Sequence, residues 1–250
     1  MMNKIIYSLL VLVIFWSCDS ESVNDCFQQS GTIITQEIDV PVFTKIRVNR
    51  DVSLVLKEGL VQEVKVETGE NLLNDVEFIV SGDWLTITDN NTCNFVRDYN
   101  VTKVYVTVPN LLEILSSTQF EINSDGVLNF ENLNIISENF IHTSVNAVGD
   151  IYLNLNSQNI EVVGNNLTNF TLEGVVSDLK VNFASGDGKL NARDLVANKV
   201  DVFHRGTNTI TVNPIQELSA ELRSTGDLIV VNEPPVTDIE EHYTGEVIFE

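Results

Sequence analysis

The chain has 250 residues, 43% of them hydrophobic and 20% charged, enough apolar material for one large β domain or two ordinary ones. Lys and Arg number 14 against 36 Asp and Glu, a formal charge of −22. A surface this negative repels phosphate backbones and anionic headgroups, which excludes nucleic acid as a partner and argues against electrostatic adsorption to membranes.

Residues 1–17 read MMNKIIYSLLVLVIFWS. Lys4 precedes an apolar run from Ile5 to Trp16. The run has the length of a signal-peptide h-region and falls short of the roughly 20 apolar residues of a spanning helix. Ser17-Cys18 follows, a small residue directly before a cysteine, and this resembles a lipobox. Residues 1–17 are therefore expected to be a lipoprotein signal peptide and Cys18 the lipidation site. Phe15 and Trp16 are bulkier than the commonest lipobox residues, a looseness typical of the Bacteroidetes. Two or three acyl chains on Cys18 would anchor stably where one would not. The alternative is a cysteine that ends an ordinary signal peptide. Residues 18–30 read as the lipidated cysteine and an acidic tether, DSESVND. An acidic run at this place also resembles the surface-export signal of Bacteroidetes lipoproteins. The expected location is the outer membrane, at the cell surface or on the periplasmic face.

With Cys18 lipidated, Cys26 and Cys93 remain, and in an oxidising compartment two thiols are the simplest disulfide pair. A loop of about 68 residues closed in this way is stabilised by roughly 4 kcal/mol in the chain-entropy description. The alternative is two free buried thiols. A metal site there is disfavoured, because no His or second Cys lies nearby at ligand spacing.

From Ile46 onward the periodicity is two, the mark of strands. Ile46-Arg47-Val48, Val52 to Leu56, Val64-Lys65-Val66, Leu85-Thr86-Ile87 and Val104 to Val108 all alternate. Lys57-Glu58-Gly59, Thr68-Gly69-Glu70-Asn71 and Ser81-Gly82-Asp83 punctuate them. From Leu112 onward a loose repeat sets in. Its units open at Leu112, Leu133, Ile160, Leu179, Val200 and Leu218, roughly 20 residues apart except for one longer gap between Leu133 and Ile160. The long gap holds an additional strand-like piece, Ile151 to Leu155, read as a bulge or an insertion. Turns such as Ser185-Gly186-Asp187-Gly188, Arg205-Gly206-Thr207-Asn208 and Ser224-Thr225-Gly226-Asp227 follow the later strands. A period of this length, with strands and no helix, suits a parallel β-helix whose coils stack their apolar residues into one core. Asn154, Asn156, Asn159, Asn165 and Asn166 fit outward or corner positions; at corners Asn tolerates left-handed backbone and bonds neighbouring coils. Asn90, Asn100, Asn166 and Asn169 begin formal glycosylation sequons, with no glycan expected in a bacterial lipoprotein. Pro234-Pro235 is expected to stop the last regular coil. Residues 31–250 are read as one all-β domain.

The order of these pieces resembles a family. Phe43-Thr44-Lys45-Ile46-Arg47-Val48, Lys57-Glu58-Gly59, Asn71-Leu72, Gly82-Asp83-Trp84-Leu85-Thr86-Ile87, Pro109-Asn110-Leu111, the repeated coils and Tyr243-Thr244-Gly245 are similar to the auto-transporter adhesin head domain. This head GIN domain is found in many Bacteroidetes lipoproteins. The likeness covers most of residues 40–248. It implies a right-handed parallel β-helix-like solenoid with no established catalytic activity. The Ser-Gly-x-Gly turn common in the family is complete only at Ser185–Gly188, which puts in doubt any site built on repeated turns.

The residues themselves carry little chemistry. His142, His204 and His242 form no His-x-x-x-His pair, and no nucleophile elbow, P-loop or dinucleotide fingerprint occurs. His204 could act as a base with Asp187 or Asp227 from adjacent coils; a polar turn histidine is the plainer reading. Asp89-Asn90-Asn91-Thr92 offers hard oxygens, but calcium needs six to eight and no loop supplies the set. Trp84, Tyr99, Tyr105, Tyr152 and Tyr243 could form a sugar-stacking strip, though scattered strand aromatics are usually packing. No catalytic residue, no metal site and no cofactor is assigned.

The function expected is therefore non-enzymatic: a lipid-anchored envelope protein serving as adhesin or scaffold. The alternative is a glycan-binding or glycan-active module of the outer membrane. Expected partners are the membrane through the lipid, a surface glycan or protein, and a second copy of the chain through the unpaired strands at a solenoid's ends.

Overall fold

The computed structural model describes residues 25–91, 93–137 and 148–250. The expected signal peptide and lipidation site at Cys18, most of the expected tether, Thr92 and His142 lie outside these residues. The described chain is all-β apart from two one-turn 3-10 segments, Asp25–Phe27 and Leu73–Asp75. No helix among the described residues is long and apolar enough to cross a membrane.

Ten shorter strands come first: β1 (Ile33–Glu37), β2 (Lys45–Val48), β3 (Ser53–Glu58), β4 (Glu63–Gly69), β5 (Val76–Ser81), β6 (Trp84–Asp89), β7 (Lys103–Val108), β8 (Glu113–Ser116), β9 (Ile122–Leu128) and β10 (Asn132–Ser137). Four long ones follow, β11 (Ile151–Gly164), β12 (Asn169–Phe183), β13 (Lys189–His204) and β14 (Ile210–Leu222). The chain closes with β15 (Leu228–Val230), β16 (Val236–Glu241) and β17 (Val247–Phe249). All seventeen belong to one sheet, curled into a half-barrel around its core.

Two ladders make up the sheet. In one, β6, β2, β8 and β10 pair in parallel and continue into the second halves of β11 to β14 and then β16. In the other, β7, β3 and β9 pair in parallel and continue into the first halves of β11 to β14, then β15 and β17. The repeat read from the sequence is the register of the first ladder. Leu133 faces Ile160, Ile160 faces Leu179, Leu179 faces Val200, and Val200 faces Leu218. Alternation fixes which residues point inward, and near-equal spacing brings the same face round each time. The longer gap contains residues 138–147, outside the description. Its strand-like piece, Ile151 to Leu155, is the start of β11 and carries a register shift against β9 between Tyr152 and Asn154.

The core is one apolar cluster running through both ladders, from Phe43 to Val230. Along β13 the inward residues Leu190, Ala192, Leu195, Ala197, Val200, Val202 and His204 are all buried, and their neighbours in sequence are exposed or half-buried. Full burial of each Leu or Val is worth about 1.5–3 kcal/mol relative to exposure. Outside the core, outward Asn side chains tie neighbouring strands together, although Asn154, Asn156 and Asn159 lie within β11 and not at left-handed corners. Asn156 Nδ2 donates to Asn129 Oδ1 at 2.7 Å, and Asn159 Nδ2 donates to Asn132 Oδ1 at 2.7 Å.

Three features depart from the sequence reading. At the N-terminal end the sheet is mixed, because β1–β4, β4–β7 and β5–β6 pair antiparallel. Alternation reports which face a residue occupies but not the direction of its partner. Residues 25–30, assigned to the tether, pack on the domain: Gln28 is buried and its Nε2 donates to Asn71 O at 2.7 Å. Pro234-Pro235 does not end the regular structure, because β16 follows directly and pairs in parallel with β14. The prolines occupy the bend before β16, where no ladder bond is required of their nitrogens. β16 and β17 form the C-terminal edge, and most residues of β16, VTDIEE, are exposed.

Candidate functional site

The sulfurs of Cys26 and Cys93 are bonded, with Cα atoms 4.4 Å apart. Around this staple, Phe95 N donates to Cys26 O at 3.0 Å, and the Phe27 and Phe95 rings lie 5.7 Å apart. Beside it the corners after β2, β6 and β8 enclose a polar cleft of about 200 Å³, lined by Asp51, Asp89, Asn91, Arg97, Asn100 and Thr102 among others.

The cleft is built from tightly bonded corners. Asp51 and Asn100 both adopt left-handed backbone, φ 63° and 58°. Such torsions suit Asn and Asp better than most residues. Gln119 Nε2 donates to Asp51 Oδ1 at 2.5 Å. Burial pushes the Asp51 carboxyl above its usual range; the Gln119 bond opposes this, the Asp89 carboxylate adds to it, and Arg50 and Arg97 pull it down. Asp89 is buried and bonded. Its Oδ1 accepts from Asn91 N at 2.9 Å and Asn91 Nδ2 at 2.6 Å, and its Oδ2 accepts from Thr102 Oγ1 at 2.6 Å. The Arg97 guanidinium donates to Gln28 O and Asn91 O. The Asp89 oxygens are thus not solvated turn acids, because they close a buried corner. The cleft is smaller than the roughly 300–1,000 Å³ of ordinary ligand pockets. It offers donors and acceptors for a small polar group, with no histidine in its lining.

His204 is the inward residue that ends β13, fully buried. Gly206 N donates to its Nδ1 at 3.3 Å, and its Nε2 lies 2.7 Å from Asn208 O. Nδ1 therefore accepts, Nε2 carries the proton, and the ring is neutral. The ring also meets Phe183 edge-on, centroids 6.2 Å apart. His204 is neither a base partnered by Asp187 or Asp227 nor a solvated turn residue, because period two from Val200 and Val202 carries it inward. Asp187 instead accepts from Thr207 Oγ1 of the next turn, and Asp227 Oδ1 accepts from Glu246 N at 3.0 Å. These turn acids join successive turns.

Burial holds the His204 pKa below its ordinary 6.5, against the raising effects of the Asn208 carbonyl and Asp227. The unfolded chain binds a proton near 6.5 and the folded chain does not. This contribution to stability is complete above that value and is lost as pH falls toward the folded one. Unfolding by denaturant between about pH 7.5 and 5.5 should show the wild type losing up to about 1.4 kcal/mol per pH unit more than His204→Leu at the acid end. Parallel pH profiles would disprove the neutral buried ring.

The aromatic strip does not assemble. Trp84 is covered by two cations of β2, Lys45 Nζ at 5.3 Å and Arg47 Cζ at 5.1 Å from the ring. Among the described residues no ring contact joins any two of Trp84, Tyr99, Tyr105, Tyr152 and Tyr243. The cleft was missed because its residues come from corners far apart in sequence. The signal available was the pair of turn-prone residues, Asp51 and Asn100, each directly before a strand-forming run.

Among solved structures, a putative adhesin of Bacteroides fragilis superposes with a TM-score of 0.79 at 19% identity, over 89% of this chain and 99% of that one. A putative adhesin of Parabacteroides merdae gives 0.61 at 15% identity, over 87% and 97%. A protein of Parabacteroides distasonis described as a putative lipid binding protein gives 0.60 at 19% identity, over 88% and 97%. At such identities the likeness is one of fold. No curated protein sequence gives a significant match. A family model matches residues 42–234, and the chain belongs to that family, described as "Putative auto-transporter adhesin, head GIN domain".

Proposed function

We propose that this protein is a non-enzymatic adhesin or scaffold of the cell envelope, anchored in the outer membrane by lipid on Cys18. In this reading residues 1–17 are removed, a short acidic tether follows Cys18, and residues 31–250 form the head. The head would be a right-handed parallel solenoid, each coil one turn of the repeat, as the in-register pairs of β10 to β14 support. The observation that carries the reading is the Cys26–Cys93 bond. Structural disulfides belong to oxidising compartments, and this one lies just downstream of a lipobox-like Ser17-Cys18. The contacts of His204 and His242, with backbone and with carboxylates, include no hydroxyl or thiol nucleophile. The family's adhesin description supports a surface partner, a protein or glycan.

The test is metabolic labelling with an alkyne fatty acid, followed by membrane fractionation. The wild type should carry the label and sediment with outer membrane. Cys18→Ser should lose the label and the membrane association while keeping the fold. A Cys18→Ser chain that still carries acyl groups would refute the anchor. Protease shaving of intact cells reads the orientation, and full protection until lysis would defeat the surface location.

A further inference from the structure

The C-terminal edge holds a second constellation, remote in the sheet from the disulfide cleft. Glu221 near the end of β14 faces Glu240 of β16 across the parallel ladder. His242 follows two positions after Glu240, so both side chains leave the same face. Two bonds tie down the segment around the histidine. His242 N donates to Leu222 O at 2.8 Å, and Val247 N donates to Glu241 Oε1 at 2.7 Å. His242 Nε2 lies 3.2 Å from Glu221 Oε1 and 3.2 Å from Glu240 Oε2, and one ligand atom from each of the three falls within 4.8 Å of the others.

We infer that Glu221, Glu240 and His242 form a binding site for a divalent transition metal of the zinc class. Metal–nitrogen and metal–oxygen bonds of about 2.0–2.2 Å place tetrahedral ligands about 3.3 Å apart. The two contacts of His242 already have that spacing, so little rearrangement of the imidazole is needed. One imidazole with two carboxylates is a borderline-soft set with too few oxygens for calcium, which takes six to eight. Three protein ligands leave a fourth position open to solvent, where water or a ligand from outside would bind. The strongly acidic chain raises local cation concentration.

One group opposes the metal. Arg223 Nε donates to Glu221 Oε1 at 2.6 Å, and its Nη2 contacts the same carboxylate. The Arg223 side chain is nearly half exposed and can turn outward to solvent. It is therefore a competitor of the metal, which gives the inference a second, opposite prediction.

The experiment is titration calorimetry of Zn²⁺ into full-length, untagged chain in detergent after chelator treatment, with Ca²⁺ and Mg²⁺ titrated separately. One Zn²⁺ should bind saturably and raise the thermal midpoint by holding β16 to β14. Glu240→Gln and His242→Ala should each weaken binding by at least about tenfold, and Arg223→Ala should tighten it. All three positions are solvent-facing, and circular dichroism would check that each variant stays folded. The inference is overturned if no saturable Zn²⁺ binding appears, if binding survives both ligand substitutions, if Ca²⁺ binds equally well, or if Arg223→Ala weakens it.

Discussion

Replacing Cys26 and Cys93 together by serine should lower the stability of the head by roughly 4 kcal/mol. The bond closes a loop with a sequence separation of 67, which contains every strand from β1 to β6. Without it the unfolded chain regains the entropy of that loop, and the folded chain loses the fastening of its N-terminal end. That end is otherwise held by β4 and the turn after it: among the described strands β1 pairs with β4 alone, its residues are mostly exposed, and residues 29–32 bond to Glu70 and Asn71. Gln28 and Arg97 reach across the staple to Asn71 O and Gln28 O, and those bonds depend on the two segments staying together. Guanidinium unfolding of the oxidised wild type, the reduced wild type and the double serine variant would measure the effect. The strands inside the closed loop, β1 to β6, lie apart in sequence from the long strands β11 to β14, so the loss should be local. The variant is expected to show a first transition of the N-terminal strands and a second, less shifted one for β11 to β17. Superimposable curves for all three proteins would contradict this account of the staple.

Phe183→Ala should cost about 3–5 kcal/mol, the usual range for a buried aromatic truncated in a core. Phe183 sits in a column formed by the last inward residue of successive strands. Ser137 faces Gly164, Phe183 faces His204, and His204 faces Leu222; Gly164 and Phe183 lie one step beyond the Val163–Asn182 pair. The Phe183 ring lies 5.7 Å from Phe170 and is fully buried. It fits because Gly164 has no side chain: a Cβ there would lie 2.5 Å from Phe183 Cε1 and 2.9 Å from Phe170 Cε2. Gly164→Ala should therefore destabilise by overpacking, about 1–3 kcal/mol. The two changes are complementary in space, so the double variant should be clearly less destabilised than the sum of the singles. Chemical denaturation of the four proteins of this cycle tests it. Simple additivity would mean that Gly164 and Phe183 do not share the space assigned to them.

The sequence yielded the phase of the fold more readily than its pairing. Leu133, Ile160, Leu179, Val200 and Leu218 announce the ladder because each begins an apolar-x-apolar step after a similar length of chain. Face and spacing are local properties, and both are written in the residue types. The antiparallel direction of β4 and β5 is not local. Their runs Val64-Lys65-Val66 and Val76 to Val80 alternate like the parallel strands, and only the neighbouring chain decides the direction. His204 was legible by counting, since Val200, Val202 and position 204 share a face. Its polarity and the Gly206 turn after it pointed to the surface instead. The disulfide partners followed from compartment and number. The cleft beside them did not, because Asp51, Asp89 and Arg97 converge only when three corners stack. The His242 cluster depends likewise on Glu221 lying in register with Glu240.

The exposed edge formed by β16 bears on how the molecule behaves in a crowd of its own kind. An exposed edge strand is a template for a strand of another molecule. Here that strand presents Asp238, Glu240 and Glu241. A second copy that paired through its own β16 would bring these carboxylates together across a fresh pair of backbones, and like charges facing each other are destabilising. The repulsion works against edge-to-edge pairing of two copies through β16. The acids that make β16 look featureless in sequence thus guard the edge it exposes.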